Sequence, residues 1–229
     1  MKIFVYILTL FLLTLNSFGQ EKEKKRMPKR TDNFVRMDGI RVGLDLTRAY
    51  QDLWTKGNRY GTELSADMEL LPNLFTVVET GWEKFKLNQD YVTYNSSGSY
   101  SRLGIDYNFL TAEHKEDMDI LYAGFRYGFG LAKQQVSNYR IDSYWGEETG
   151  RFGSQNYHSH WLEFLLGMKG EIFNNFFMGW TIRTKVMITQ KEYAMPPVYF
   201  TPGYGNNDAN VNFDFTYSIY YKLPFKFKK

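Results

Sequence analysis

The chain has 229 residues, 28 Lys and Arg against 25 Asp and Glu, and no Cys; 19 Phe, 18 Tyr and 5 Trp make it unusually aromatic. That aromatic content excludes a disordered chain, and the missing cysteines exclude a disulfide-stapled fold. A mean hydropathy of -0.46 is too polar for a bundle of membrane helices, and the length suits one all-β domain.

At the start, Lys2 precedes an almost unbroken apolar run from Ile3 to Leu15, and Ser17-Phe18-Gly19 puts small residues where a signal peptidase reads. The expectation is a signal peptide over 1–19, with Gln20 as the mature N-terminus of an exported protein. The run is shorter than the ~20 residues a spanning helix needs. A basic tail over 20–37 follows, in which Glu21 to Arg30 holds six basic and two acidic residues and cannot bury itself. The body from 38 to 225 is acid-rich, and 226–229 is a second short basic tail. Without an aromatic-interleaved basic groove, no nucleic-acid partner is expected.

Eight segments of period 2 follow in chain order. Ile40, Val42, Leu44 and Leu46 alternate with Arg41, Gly43, Asp45 and Thr47. Leu64, Ala66, Met68 and Leu70 then oppose Glu63, Ser65, Asp67 and Glu69, and Leu74, Thr76, Val78, Thr80 and Trp82 oppose Val77, Glu79, Gly81 and Glu83. In the fourth segment Leu103, Ile105, Tyr107 and Phe109 oppose Arg102, Gly104, Asp106 and Asn108. In the fifth, Leu121 to Leu131 opposes Gly124, Arg126, Gly128 and Gly130. The sixth sets Leu162, Phe164, Leu166 and Met168 against Glu163, Gly167 and Lys169. The seventh sets Met178, Trp180, Ile182, Thr184 and Val186 against Gly179, Thr181, Arg183 and Lys185; the last alternates Val211 to Tyr221 with Asn212, Asp214, Thr216 and Ser218. Connections alternate long (50–59, 85–99, 133–159, 187–210) and short (72–73, 111–118, 174–175).

An even number of strands, each of about 10 residues, with alternating long and short connections, predicts an all-β fold: an eight-stranded antiparallel up-and-down transmembrane β-barrel with short periplasmic turns and long extracellular loops. The size of such a barrel decides which face is inside, because eight strands leave an interior just wide enough for side chains. The polar face carries bases (Arg41, Arg102, Arg126, Lys169, Arg183, Lys185) among acids (Asp45, Glu63, Asp67, Glu69, Glu79, Glu83, Asp106, Glu163, Asp214). Unpaired buried charge costs several kcal/mol, so these residues are expected to form a charge-paired plug. Gly43, Gly104, Gly124, Gly128 and Gly179 are expected to make room for the long arginines. Outward aromatics are expected in girdles, with Tyr107, Phe109, Tyr217, Tyr221 and Phe225 in one and Trp82 and Trp161 in the other. The alternative that keeps the alternation is a secreted barrel of the calycin type with its apolar face inward.

Several fragments taken together resemble a family. Gly124 to Gly130 (GFRYGFG), His160-Trp161-Leu162-Glu163, Asn175 to Trp180 (NFFMGW), Pro202-Gly203-Tyr204-Gly205 and the closing Tyr220 to Phe225 (YYKLPF) are similar to a Bacteroidota family of small outer-membrane β-barrel proteins of unknown function. The resemblance covers about Asp38 to Phe225. It implies an outer-membrane location, outer-membrane lipids as surroundings, and the barrel-assembly machinery as a partner during biogenesis through the aromatic last strand. It supplies no catalytic residues.

Chemistry is sparse. His158 and His160 are two apart on a strand, and with Ser159 they are the residues from which a metal site or a lipid A acyl hydrolase would be built. His114 lies at the opposite end, the ligand set is incomplete, and no enzyme, metal or cofactor is expected; a lipid-modifying enzyme or a narrow channel are the alternatives within the same barrel. Recognition is expected in the 133–159 loop through Tyr139, Tyr144 and Trp145, with a surface ligand that the residues do not identify. The reading is of a monomeric barrel with a structural or surface-interaction role.

Overall fold

A computed structural model describes residues 39–54, 58–110, 118–144, 146–190, 197–208 and 210–225. The expected signal peptide, both basic tails, His114 and Trp145 lie outside the described residues. Strands β1 (Gly39–Asp45), β2 (Arg59–Leu71), β3 (Leu74–Gln89), β4 (Val92–Asn108), β5 (Ile120–Ser143), β6 (Gly146–Phe173), β7 (Phe176–Gln190) and β10 (Val211–Pro224) are all antiparallel to their neighbours. Among the described residues these eight form one closed barrel, sealed where β1 meets β10 from Gly39↔Pro224 to Asp45↔Ser218. Closure removes the exposed strand edges that an open sheet of this size would present.

One large apolar side chain from the middle of each strand, namely Leu44, Leu64, Val78, Leu103, Phe125, Leu166, Ile182 and Phe215, is 37–60% exposed on the outer surface. Arg41, Glu63, Glu79, Arg102, Arg126, Glu163 and Arg183 are buried inside. The alternation therefore runs apolar-out and charged-in, the reverse of a calycin-type barrel.

At one end, strands are joined by tight turns of a common design. Asn73 and Asn175 occupy left-handed backbone (φ 64 and 65), which Asn tolerates better than other side-chain-bearing residues. The glutamate four positions earlier accepts the turn amide in both: Asn73 N–H donates to Glu69 Oε1 at 3.0 Å, and Asn175 N–H to Glu171 Oε1 at 2.7 Å. Each turn follows a register shift, Glu69/Leu71 and Glu171/Phe173, whose extra residue feeds the bend.

At the other end strand pairing continues through two of the expected long connections. The 85–99 stretch is paired throughout, from Phe85↔Ser96 to Gln89↔Val92, and turns at Asp90-Tyr91. Pairing of β5 with β6 likewise continues to Ser143↔Gly146. The reason is a change in the sense of the alternation. Beyond Trp82 the outward positions become Lys84, Lys86 and Asn88, while Phe85 and Leu87 turn inward with Tyr94 and Val136 onto Phe200. Above that level aromatic side chains pack inside the barrel, with Phe85 stacked on Phe200 at 4.4 Å between ring centres.

Two connections enter the barrel. Leu46 and Thr47 were expected to prolong the first strand; they instead open a helix, α1 (Leu46–Trp54), because the Asp45 carboxylate accepts the Thr47 N–H at 2.8 Å and caps it. The expected long loop 50–59 therefore begins as helix. In the expected surface loop 187–210, Phe200, Thr201 and Tyr204 are buried, with β8 (Phe200–Thr201) and β9 (Gly205–Asn206) forming a minimal hairpin.

Candidate functional site: a charge network filling the barrel

Ions from all eight barrel strands and the α1 helix meet in three tiers. Near the turn end, Asp67 of β2 joins Arg41 of β1 (Nε to Oδ1, 2.6 Å) to Lys169 of β6 (Nζ to Oδ2, 2.7 Å). Aromatic faces cover these cations: the Arg41 guanidinium lies 4.8 Å from the Phe75 ring centre, and Lys169 Nζ 4.7 Å from that of Tyr220. Beside them Arg126 donates to Asp106 Oδ2 at 2.9 Å and to the Ile105 carbonyl at 2.9 Å.

The middle tier holds three carboxylates and two guanidiniums. Arg102 Nη1 donates to Glu63 (2.8 Å) and Glu79 (2.7 Å), and its Nε is ion-paired with Glu163 at 2.8 Å. Arg183 donates through Nη1 to Glu79 (2.7 Å) and Glu163 (3.1 Å), and through Nη2 to the second Glu79 oxygen (3.1 Å). Neutral donors complete the carboxylates: Tyr100 O–H reaches Glu63 at 2.5 Å, and Trp161 Nε1–H reaches Glu163 at 2.7 Å. Glu79 and Glu163 thus have their lone pairs engaged from more than one strand, and Glu63 from two side chains of β4, as a buried anion requires.

The loop-side tier is built by the two inserted segments. Arg48 of α1 donates to Glu83 (2.9 Å) and Asp214 (3.3 Å), Arg59 to Glu83 (2.5 Å), and Lys185 to Asp214 (2.7 Å). The inserted loop binds through its backbone, with Gly203 N–H donating to Glu83 and Gly203 C=O accepting from Arg102 and Lys185.

Of the fifteen charged residues expected in the interior, Arg41, Asp45, Glu63, Asp67, Glu79, Glu83, Arg102, Asp106, Arg126, Glu163, Lys169, Arg183, Lys185 and Asp214 face inward, whereas Glu69 accepts the Asn73 turn amide. Asp45 alone serves chiefly as a helix cap, 3.7 Å from the Arg48 guanidinium. Arg48 and Arg59 escaped sequence reasoning. The only trace of Arg48 is its position three residues after a capping Asp, and Arg59 lies at the first residue of β2 beside an expected loop.

The interior glycines make room for more than arginine. Gly104 does sit against the Arg126 side chain, but a Cβ on Gly128 would fall inside van der Waals contact with the Trp161 indole, and one on Gly43 with the Tyr220 ring. Trp161 is accordingly not a girdle residue: it is fully buried and packs in the lumen against Tyr204. Trp82 does face outward, edge-on to Tyr60 at 5.7 Å. Tyr107, Phe109, Tyr217, Tyr221 and Phe225 are exposed on the outer surface.

His158 and His160 also point outward, with ring centres 5.8 Å apart, and His160 Nδ1 is 2.5 Å from the Tyr127 hydroxyl. Ser159 points the opposite way, fully buried in the lumen. Alternation along β6 therefore separates the serine from both histidines, and no cluster of three or more metal-ligating side chains occurs among the described residues. Of the loop residues, Tyr139 is half-buried and stacked on Phe152 at 5.3 Å, whereas Tyr144 is 94% exposed at the hairpin tip. Tyr139 and Phe152 line a shallow cleft of about 370 Å³ with Tyr91, Val92, Arg140 and Ile141.

A family model described as Domain of unknown function (DUF6048) matches residues 1–229. The chain belongs to this family. No curated protein matches it. The family thus brings no activity with it, and any assignment must come from the arrangement of residues.

Proposed function

We propose that this member of the family is a monomeric outer-membrane β-barrel whose lumen is plugged by salt bridges and whose long hairpins act at the cell surface, in a structural or recognition role and not as an enzyme. The observation that carries the reading is the reversal of polarity along single strands. In the middle of the barrel the outer surface is apolar and the interior ionic; beyond Trp82 and Leu131 the outer surface becomes Lys84, Lys86, Lys133 and Gln135, while the interior packs Phe85, Leu87, Tyr94, Val136 and Phe200 together, with Ser96 and Gln134 hydrogen-bonded to tyrosines. A uniformly hydrated barrel has no reason to change sense partway, whereas a hydrocarbon layer around the middle and water around one end demand it.

On this reading the turn end faces the periplasm, the hairpins face outward, outer-membrane lipids surround the middle, and the barrel-assembly machinery inserts the chain by its aromatic last strand. The leader read at 1–19 supplies the export step, and the likeness of its motifs to Bacteroidota barrels supports the same location. Surface recognition is assigned to the cleft at Tyr139 and to Tyr144. Two measurements test the proposal. The extracted protein should migrate faster on gels unheated than boiled and should fractionate with outer membranes. In planar bilayers it should give no steady open current; a constant conductance would refute the plug.

A further inference from the structure

We infer that the outward face at the loop-side boundary of the apolar belt is a binding site for the phosphate groups of a phosphorylated glycolipid in the outer leaflet, an inference that rests on the membrane reading above. Lys84 of β3, Ser97 of β4 and Lys133 of β5 stand side by side in register. Adjacent strands are about 4.8 Å apart, so the two lysine backbones are separated by about 10 Å with a hydroxyl between them. Two flexible four-carbon stems can close that gap onto one phosphate, which accepts from both ammonium groups and from Ser97. One step farther from the belt, Lys86 stands opposite Asn95; one step into it, His158 stands opposite Leu131.

A merely solvated strand face mixes acids with bases, and this one does not. Among the described residues of β3 to β6, the outward positions from the Tyr107 row to the Gln135 row include no carboxylate, and the ion pairs found include none with Lys84, Lys86 or Lys133. The three charges sit where the outer surface changes from apolar to polar, directly above Trp82 and Leu131, which are 40% and 58% exposed. Lys84 also lies 5.7 Å from the Tyr60 ring centre, so an amphipathic aromatic borders the patch. At the turn end the outward strand positions among the described residues include Leu74, Tyr107, Leu121, Phe176, Tyr221 and Leu223, and the described lysines there, Lys169 and Lys222, are buried inside. Among the described residues the outward cationic row thus lies at the loop-side boundary. An amphiphile with anionic groups above acyl chains matches both halves of the surface: phosphate on the lysines, chains on the apolar band.

The test uses the full-length protein in phosphatidylcholine vesicles containing bisphosphorylated lipid A, with dephosphorylated lipid A and inorganic phosphate as comparison arms. Bound lipid is counted by native mass spectrometry after mild detergent extraction. The wild-type protein should retain bisphosphorylated lipid A. The variant K84Q/K86Q/K133Q should bind it about 100-fold more weakly, at about one kcal/mol per cation near an anionic surface. The arginine triple variant should restore binding. Equal retention by wild type and glutamine variant, or of both lipids by the wild type, overturns the proposal, and displacement by millimolar inorganic phosphate would mark a free-anion site and overturn it too. Vesicle flotation and heat-modifiable mobility separate the two failures. A protein that does neither refutes the membrane reading and this inference with it, whereas one that floats, folds and ignores the phosphates refutes this inference alone.

Discussion

Removing the Glu79 carboxylate is the most direct test of the lumen. Glu79 accepts three hydrogen bonds from Arg102 and Arg183 at 2.7–3.1 Å and lies 3.6 Å from the Arg126 guanidinium. Glu79→Ala leaves these guanidiniums with less negative charge than their number needs, deep in a closed interior. Deleting one partner of a buried ion pair costs about 3–5 kcal/mol, and Arg102 and Arg183 keep Glu163 as a shared partner, so about 3 kcal/mol is expected, close to a 150-fold change in the folding equilibrium. On the proposed membrane reading, urea unfolding in lipid vesicles, followed by gel mobility of the unheated protein, should show the midpoint falling with an unchanged slope. The double variant E79M/R183M, which removes both signs, should recover at least half of the loss because no orphan charge is created. A loss below about 0.5 kcal/mol for Glu79→Ala would mean that water solvates the site, and the plug would be refuted.

Gly128→Ala drives a methyl into the Trp161 indole and should cost about 1–3 kcal/mol, with a change in tryptophan fluorescence; unchanged stability and spectrum would show that Trp161 is elsewhere. At the Asn175 turn, Asn175→Gly should be tolerated within about 0.5 kcal/mol, while Asn175→Val, β-branched at φ 65, should cost about 1–3 kcal/mol by the same urea assay. Asp45→Ala removes the α1 cap and should cost about 1 kcal/mol, with faster proteolysis between 46 and 58 as the readout.

The strands and their faces were legible because period 2 is a local property. Arg41 beside Val42, or Glu79 beside Val78, declares two faces whatever the rest of the chain does, and the size of an eight-stranded barrel then says that the charged face must be internally paired. The ends of strands were not legible in the same way. The stretch 85–99 is polar enough to read as a loop, and only the inward turn of Phe85, Leu87 and Tyr94 onto Phe200 makes it a continuing hairpin. Trp161 shows the same difficulty for a single residue. An aromatic near a strand end suits a girdle, and its true place beside Gly128 depends on β5 and β6 being paired Gly128↔Trp161.

Sequence by itself determined the eight alternating segments, the two tight Asn turns and the inward set of ions, since each depends on neighbours within a few residues. Tertiary structure alone decided which ions meet, that Arg48 and Gly203 enter from segments between strands, and that the polarity of the wall inverts above Trp82 and Leu131. Those outcomes join residues as far apart as Arg48 and Asp214, whose 3.3 Å contact exists only after the ring closes. Period and composition describe each strand singly, but a salt bridge across the lumen is a property of the closed cylinder, where desolvated charges must find partners from whichever segment can reach them.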